Sequence, residues 1–296
     1  PLSISIVSFS MGAKIQQIPD ILVDSVGIFE CGGVCRYQKR RDFVFSVPAF
    51  LISSCPATPK KFPPESAGMS GICCIFALME KDTILILSGG LDSTTLLYDE
   101  QERIALAVSF DYGSKHNARE IPFAKMHCDR LGIRHITIPL DFMTRYFKSS
   151  LLEGGEEIPE GHYADENMRS TVVPFRNGIM LSIAVGIAES NGLKYVMMAN
   201  HGGDHTIYPD CRPEFVDAFD RAAEAGTFVK VHLRSPYTNM TKADIARRGK
   251  ALGIDYSETW SCYKGGDRHC GKCGTCVERR EALAEAGIED GTEYEG

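Results

Sequence analysis

Ser88-Gly89-Gly90-Leu91-Asp92-Ser93 is the stretch on which the fold turns. The apolar run Thr83-Ile84-Leu85-Ile86-Leu87 precedes it, and Thr94-Thr95-Leu96-Leu97-Tyr98 follows in the pattern of a helix start. A buried strand, a tight turn with two glycines and a helix N-terminus together make an anion cradle. Glycine lets the backbone approach an anion closely, and free N–H groups and hydroxyls then point at it. The P-loop of nucleoside triphosphatases carries a lysine just before its Ser or Thr. Here Asp92 holds that place. An acid beside a phosphate nest suits a magnesium-bound pyrophosphate better than a grip on an intact triphosphate. Leu87, Ser88, Gly89, Gly90, Leu91, Asp92, Ser93 and Thr94 are therefore the expected phosphate-binding residues.

Working outward, strand and helix patterns alternate from Thr83 onward. Ile104 to Phe110 reads as a second buried strand. Ile121, Ala124, Cys128 and Leu131 recur at helical spacing, with Gly132 as a C-terminal cap. His135 to Pro139 is a third strand and Tyr195 to Ala199 a fourth. Phe228 to His232 is expected as the fifth. Helices are expected from Arg176 to Gly192, from Glu214 to Ala225, and from a capping box at Thr241-Lys242-Ala243-Asp244 to Gly253. The Gly- and Glu-rich passage from Leu151 to His162 has no clear period and is long enough to cover a site. This order predicts a doubly wound, parallel, five-stranded α/β sheet, with no transmembrane span. Ligands then bind beyond the C-terminal strand ends. There the loops Asp111 to His116, Asn200 to Asp204 with Tyr208 to Arg212, and Arg234 to Lys242 join the first glycine turn.

The first eighty residues fit this pattern poorly. Arg36 to Arg41 is basic, Phe43 to Ile52 is apolar and Ser53-Ser54-Cys55 follows, which resembles an export signal. The apolar run is short, holds Pro48 and is not N-terminal. Cys31 and Cys35 have no second ligand pair nearby. Ser70 to Phe76 faintly resembles the start of a glutamine amidotransferase, but Thr83 leaves no room for one. Residues 1–80 are expected to be a poorly ordered extension or a translated leader, ahead of one domain at residues 81–296.

The net charge of -7 over 296 residues gives no pull toward nucleic acid. Of 11 cysteines, Cys262, Cys270, Cys273 and Cys276 crowd near the C-terminus. An odd, clustered total argues against a disulfide framework and for a metal site in a reducing, cytoplasmic setting. Four thiolates can close a tetrahedral shell around a structural zinc, and Gly271 and Gly274 let the chain wrap tightly. An iron–sulfur cluster is the alternative. His269 is left out because four cysteines suffice, and Trp260 is expected to pack under the knuckle.

With these features in place, the glycine loop resembles the PP-loop of the ATP pyrophosphatase superfamily. Three further stretches resemble its QueC family, the 7-cyano-7-deazaguanine synthases. They are Val173-Pro174-Phe175-Arg176-Asn177, Tyr208-Pro209-Asp210-Cys211-Arg212-Pro213-Glu214-Phe215, and Thr259-Trp260-Ser261-Cys262-Tyr263 with the later cysteines. The likeness runs from about Asp82 to Leu283; the first eighty residues have no counterpart in it. It implies a C–N-forming ligase of queuosine biosynthesis that converts 7-carboxy-7-deazaguanine, ammonia and ATP with Mg2+ into the nitrile; charge and hydropathy add no nucleic-acid and no membrane partner. It also implies a homodimer. Residue roles then follow from chemistry. Asp92, Ser93 and Lys242 serve the phosphates, and Arg176 and Arg212 the substrate carboxylate. Asp204 and Asp210 would accept from the base edge, and Tyr112 or Tyr208 would stack on it. Alternatives within the superfamily are attachment of a deazaguanine to a macromolecule, or a tRNA thiolase, which the charge of -7 disfavours. A non-catalytic zinc-knuckle module is the reading from outside it.

Overall fold

The computed structural model describes residues 26–31, 34–39, 43–48, 81–162, 166–203 and 207–295. The chain divides into two units, Pro1–Ala77 and Leu78–Gly296. In the first, β1 (Val26–Cys31), β2 (Val34–Lys39) and β3 (Phe43–Pro48) form an antiparallel sheet in the order β1-β2-β3. The register runs from Val26↔Lys39 to Cys31↔Val34 and from Lys39↔Phe43 to Val34↔Pro48. The start of the apolar run in the export-like pattern is β3; the rest of that pattern lies outside the described residues.

The second unit is built on β4 (Thr83–Ile86), β5 (Ile104–Asp111), β6 (Arg134–Pro139), β7 (Tyr195–Met197) and β8 (His232–Arg234). All neighbours pair in parallel, in the order β6-β5-β4-β7-β8. The chain starts in the centre, winds one way to β6, then crosses to β7 on the other side of β4. This reversal opens a crevice at the C-terminal end of β4, where the glycine loop begins.

Alternation along the central strand explains the two layers of helices. Ile84 and Leu85 are adjacent and both fully buried, yet they belong to different cores. Ile84 shares one core with Leu181, Ala184 and Val185 of α4 (Arg176–Ser190). Leu85 shares the other core with Leu96 and Leu97 of α1 (Leu91–Asp99), Ala124 and Cys128 of α2 (Asn117–Leu131), and Ile245 of α6 (Lys242–Ala251). A buried Leu or Ile contributes about 1.5–3 kcal/mol, so both faces of β4 supply stability. The short α3 (Phe142–Tyr146), α5 (Pro213–Gly226) and α7 (Gly274–Glu285) complete the unit.

The expected caps are present. Gly132 takes φ 64° after α2, and its N–H returns to the carbonyls of Asp129 and Cys128. Thr241 and Asp244 form the reciprocal capping box of α6.

Two expectations need correction. The fifth strand is His232–Arg234, not 228–232. The Thr227 hydroxyl accepts from the Val231 N–H and donates to the Ala223 carbonyl, which holds a turn there and leaves Phe228 fully exposed. The passage from Leu151 to His162 is not a detached cover. Leu151, Leu152 and Ile158 are core residues, and the passage is bridged at Ser114↔Leu152 and Glu160↔Cys273. By length and composition alone, Glu166–Ser190 is apolar enough to cross a membrane. Here Met180, Leu181, Ala184 and Ala188 of that stretch are buried in the sheet core, as in the core helix of a globular unit.

Candidate active site

The glycine loop hangs from the end of β4, where the Leu87 N–H reaches the Val108 carbonyl at 2.9 Å. The N–H groups of Ser88 and Gly89 both point to Ser93 Oγ at 3.3 Å. The Gly90 N–H points to Ser88 Oγ at 3.1 Å, and the two serine oxygens are 3.0 Å apart. The backbone thus already forms a concave row of donors, closed on two hydroxyls. Gly89 is required twice over. Its φ is 103°, and a Cβ there would stand 2.2 Å from the Glu120 carbonyl oxygen. Gly90 begins α1 in extended conformation with no side chain capping the helix. Its first-turn donors therefore face the same concavity.

Asp92, in the first turn of α1, meets two side chains from other elements. Its Oδ2 lies 3.2 Å from Lys242 Nζ and 3.8 Å from His201 Nε2. Lys242 Nζ also donates to Glu278 Oε2 at 2.8 Å, and Glu278 Oε1 is 3.9 Å from His201 Nε2. The capping box places Lys242 at the first position of α6, so its side chain starts beside the loop. Asp92 Oδ1 is buried with no hydrogen-bond partner, an acceptor suited to a hard cation or its water. Ser93 and Lys242 therefore stand with Asp92, as expected from the sequence. Glu278 was missed; its only signal is its place on the helix that opens at the cysteine cluster. His201 sits in a loop already singled out, but nothing local marks it. Asp204, in the same loop, lies outside the described residues.

The loop forms one end of a cavity of about 230 Å3. Tyr112, Arg176, Tyr208 and Tyr263 line it too. Arg176 Nη1 donates to the Tyr112 hydroxyl at 3.1 Å, and its guanidinium lies 5.5 and 5.9 Å from the rings of Tyr112 and Tyr208. Burial opposes its charge, but the phenols of Tyr112, Tyr208 and Tyr263 and the Asp210 carboxylate push its pKa further up. Phe175, just before it, takes φ 52°, unusual for a bulky residue, and this turn delivers Arg176 at the start of α4. Asp210 Oδ2 accepts from the Asn177 N–H at 2.8 Å, so it steadies the same turn. Asp210 and the exposed Arg212 do not line the cavity, whereas Tyr112, Arg176 and Tyr208 do.

The cysteine cluster abuts the loop. The Sγ atoms of Cys262, Cys270, Cys273 and Cys276 all lie within 4.8 Å of one another, and all four residues are buried. N–H groups of Cys270 and Cys273 point to the sulfurs of Cys262 and Cys270 at 3.3 Å. Such donors favour thiolates, and four converging sulfurs fit a closed zinc shell. His269 is no ligand. Its Nε2 accepts from the Ser261 N–H at 3.1 Å, and its ring lies 4.2 Å from that of Trp260. Trp260 links the two sites. Its backbone N–H donates to the Gly89 carbonyl at 3.1 Å and its indole N–H to the Cys262 carbonyl at 2.7 Å. It therefore packs by the knuckle, as expected, and also lines the cavity. Arg279, fully buried, holds the same segment through the Tyr256 carbonyl, Thr259 Oγ1 and Ser261 Oγ.

The family model "Queuosine biosynthesis protein QueC" matches residues 82–287. A 7-cyano-7-deazaguanine synthase of Porphyromonas gingivalis W83 is 63% identical over 217 residues, covering 73% of this chain and 99% of that protein. Proteins of the same name from Desulfotalea psychrophila and Methanoregula boonei are 54% and 49% identical, each over 72% of this chain and 98% of the relative. Among solved structures, NMN synthetase from Francisella tularensis aligns with a TM-score of 0.43 at 12% identity, over 71% of this chain and 78% of that one. With the match spanning the glycine loop, the cavity wall and the cysteine knuckle, the chain belongs to the QueC family.

Proposed function

We propose that this chain is a 7-cyano-7-deazaguanine synthase. A carboxylate is a poor electrophile because its leaving group would be oxide. In the proposed reaction a carboxylate oxygen of 7-carboxy-7-deazaguanine attacks the α-phosphorus of ATP, and pyrophosphate leaves. Ammonia then attacks the acyl carbon, AMP departs with one oxygen, and an amide remains. The amide oxygen attacks a second ATP, and loss of AMP with that oxygen, together with two protons, leaves the nitrile. Each activation replaces an impossible leaving group with a good one, so the protein's task is positioning and charge stabilisation.

The observation that carries this reading is that the phosphate loop and Arg176 share one cavity. Ser88, Gly89, Gly90 and Ser93 cradle the departing pyrophosphate. Lys242 meets the phosphate charge. Asp92 is the residue to hold Mg2+, which when bound would draw charge from the phosphate oxygens. Arg176, rather than the exposed Arg212, presents its fork to the substrate carboxylate. Tyr112 or Tyr208 stacks on the base, and Asp210 acts by placing Arg176. The four cysteines hold a structural zinc with no open position for catalytic water. The clustered, unbridged cysteines suggest a cytoplasmic setting, and the family suggests a homodimer.

Pyrophosphate release tests the proposal. It should depend on the deazaguanine acid, and nitrile formation should depend on ammonium. Activation of citrulline or deamido-NAD in place of that acid would overturn it.

A further inference from the structure

Glu120 is a cavity carboxyl with no part in the roles above. It stands in the first turn of α2, which is pressed against the glycine loop through its own carbonyl at Gly89. A Cβ built on Gly90 would lie 3.7 Å from Glu120 Oε1. The carboxyl thus lines the cavity beside the glycine loop. The other acid lining the cavity, Asp92, is engaged by Lys242. Neither oxygen of Glu120 has a hydrogen bond from the described residues. Its nearest titratable neighbour is His116 Nε2, 3.6 Å away in the turn before α2. Burial, with the field of Arg176, pushes that ring down to about 3, so it brings no cation. Arg176 of α4 is the cation whose field reaches Glu120, and Tyr112 is the neutral phenol that its charge acts on. Burial outweighs Arg176 and pushes the Glu120 carboxyl up to about 8.

A carboxyl in this place has a definite use, given the reaction proposed above, on which this inference rests. The loop fixes the pyrophosphate, so the α-phosphorus and the acyl carbon bound to its oxygen lie one phosphate unit away. The nucleophile must be ammonia, but near neutral pH its source in water is almost wholly ammonium, which has no lone pair. We infer that Glu120 is the general base that takes a proton from ammonium beside the acyl carbon. An N–H bond of ammonium breaks and an O–H bond forms on Glu120. The freed lone pair attacks the acyl carbon, and the C–O bond to AMP breaks with its electron pair leaving on the phosphate. The surplus proton on nitrogen passes to that phosphate. A base that titrates close to the working pH suits this transfer, and such bases contribute about 10²–10⁴-fold.

Hydroxylamine separates this role from binding, because it is largely unprotonated at neutral pH and needs no proton removed before attack. Glu120→Gln in the full chain should keep acid-dependent pyrophosphate release. It should lose at least about 100-fold in amide formation from ammonium, and should form the hydroxamate from hydroxylamine within a few-fold of wild type. Equal loss with both nucleophiles would overturn the inference and assign Glu120 to binding phosphate or base; unchanged use of ammonium would overturn it too. Glu120→Asp, which keeps the acid but shortens its reach, should impair ammonium more than hydroxylamine, and equal impairment would count against the role. If the wild-type protein released no pyrophosphate with the deazaguanine acid, the proposed function would fail, and this inference with it.

Discussion

Asp92 faces Lys242 and His201 from two other elements, and one of its oxygens has no hydrogen-bond partner among the described residues. Replacing it with alanine should lower kcat by roughly 10³-fold, as losing a preorganised electrostatic contact at the reacting charge does. The melting temperature should change little, because the side chain is not core; an active variant would remove Asp92 from the mechanism. Glu120 makes a separate prediction about stability. Its carboxyl is raised from 4.5 to about 8 by burial. Below 4.5 both folded and unfolded forms are protonated, and the contribution is fully present. As pH rises toward about 8 the unfolded chain releases the proton first, so stability falls across that window. Glu120→Gln should therefore melt higher than wild type at pH 8 and equal to it at low pH; a constant difference would contradict the burial. At this scale the sequence is legible where chemistry sits in an unusual local pattern. An acid in a glycine loop marks Asp92, and the Val173 to Asn177 stretch marks Arg176. Glu120, His201 and Glu278 have no such marker. Glu120 lies in an ordinary helical run, and Glu278 reaches Lys242 only because α6 and α7 pack together.

The glycine loop and the cysteine knuckle are coupled elements, because Trp260 is hydrogen-bonded to both. It is also the single tryptophan of the chain. Metal analysis should find about one zinc per chain, as four cysteines form one closed shell; iron would contradict this. Removing the metal with a chelator should shift the Trp260 emission and weaken pyrophosphate binding together. A shift in emission with unchanged binding would show that the knuckle does not support the loop. Gly89→Ala should cost about 3 kcal/mol in denaturant unfolding, from overpacking against the Glu120 carbonyl and an unfavourable positive φ. The parallel sheet was legible from alternating apolar runs, because β4 and β5 are buried on both faces and read as continuous apolar stretches. The fifth strand shifted because Val229 is an exposed apolar residue in a turn, where hydrophobicity misleads. The passage from Leu151 to His162 looked loose because its anchors are single bridges and isolated buried side chains, which leave no period in sequence.

On the scale of the whole molecule, the Leu78–Gly296 unit has its own two-faced core and contains the whole family match. A chain beginning at Met79 should fold cooperatively and keep kcat/KM within about twofold, since no residue of the cavity lies before it; loss of folding or activity would give the first unit a role. The net charge of -7 leaves small molecules as the expected ligands. The cavity joins the glycine loop to an arginine among phenols, which is what the proposed activation of a carboxylate on a purine-like ring requires. The most direct measurement is mass spectrometry of the products from 7-carboxy-7-deazaguanine, ATP and ammonium. The expected result is the free nitrile, with the amide as a transient and AMP and pyrophosphate in equal amounts. Recovery of unchanged acid, or of a deazaguanine joined to a macromolecule, would contradict it.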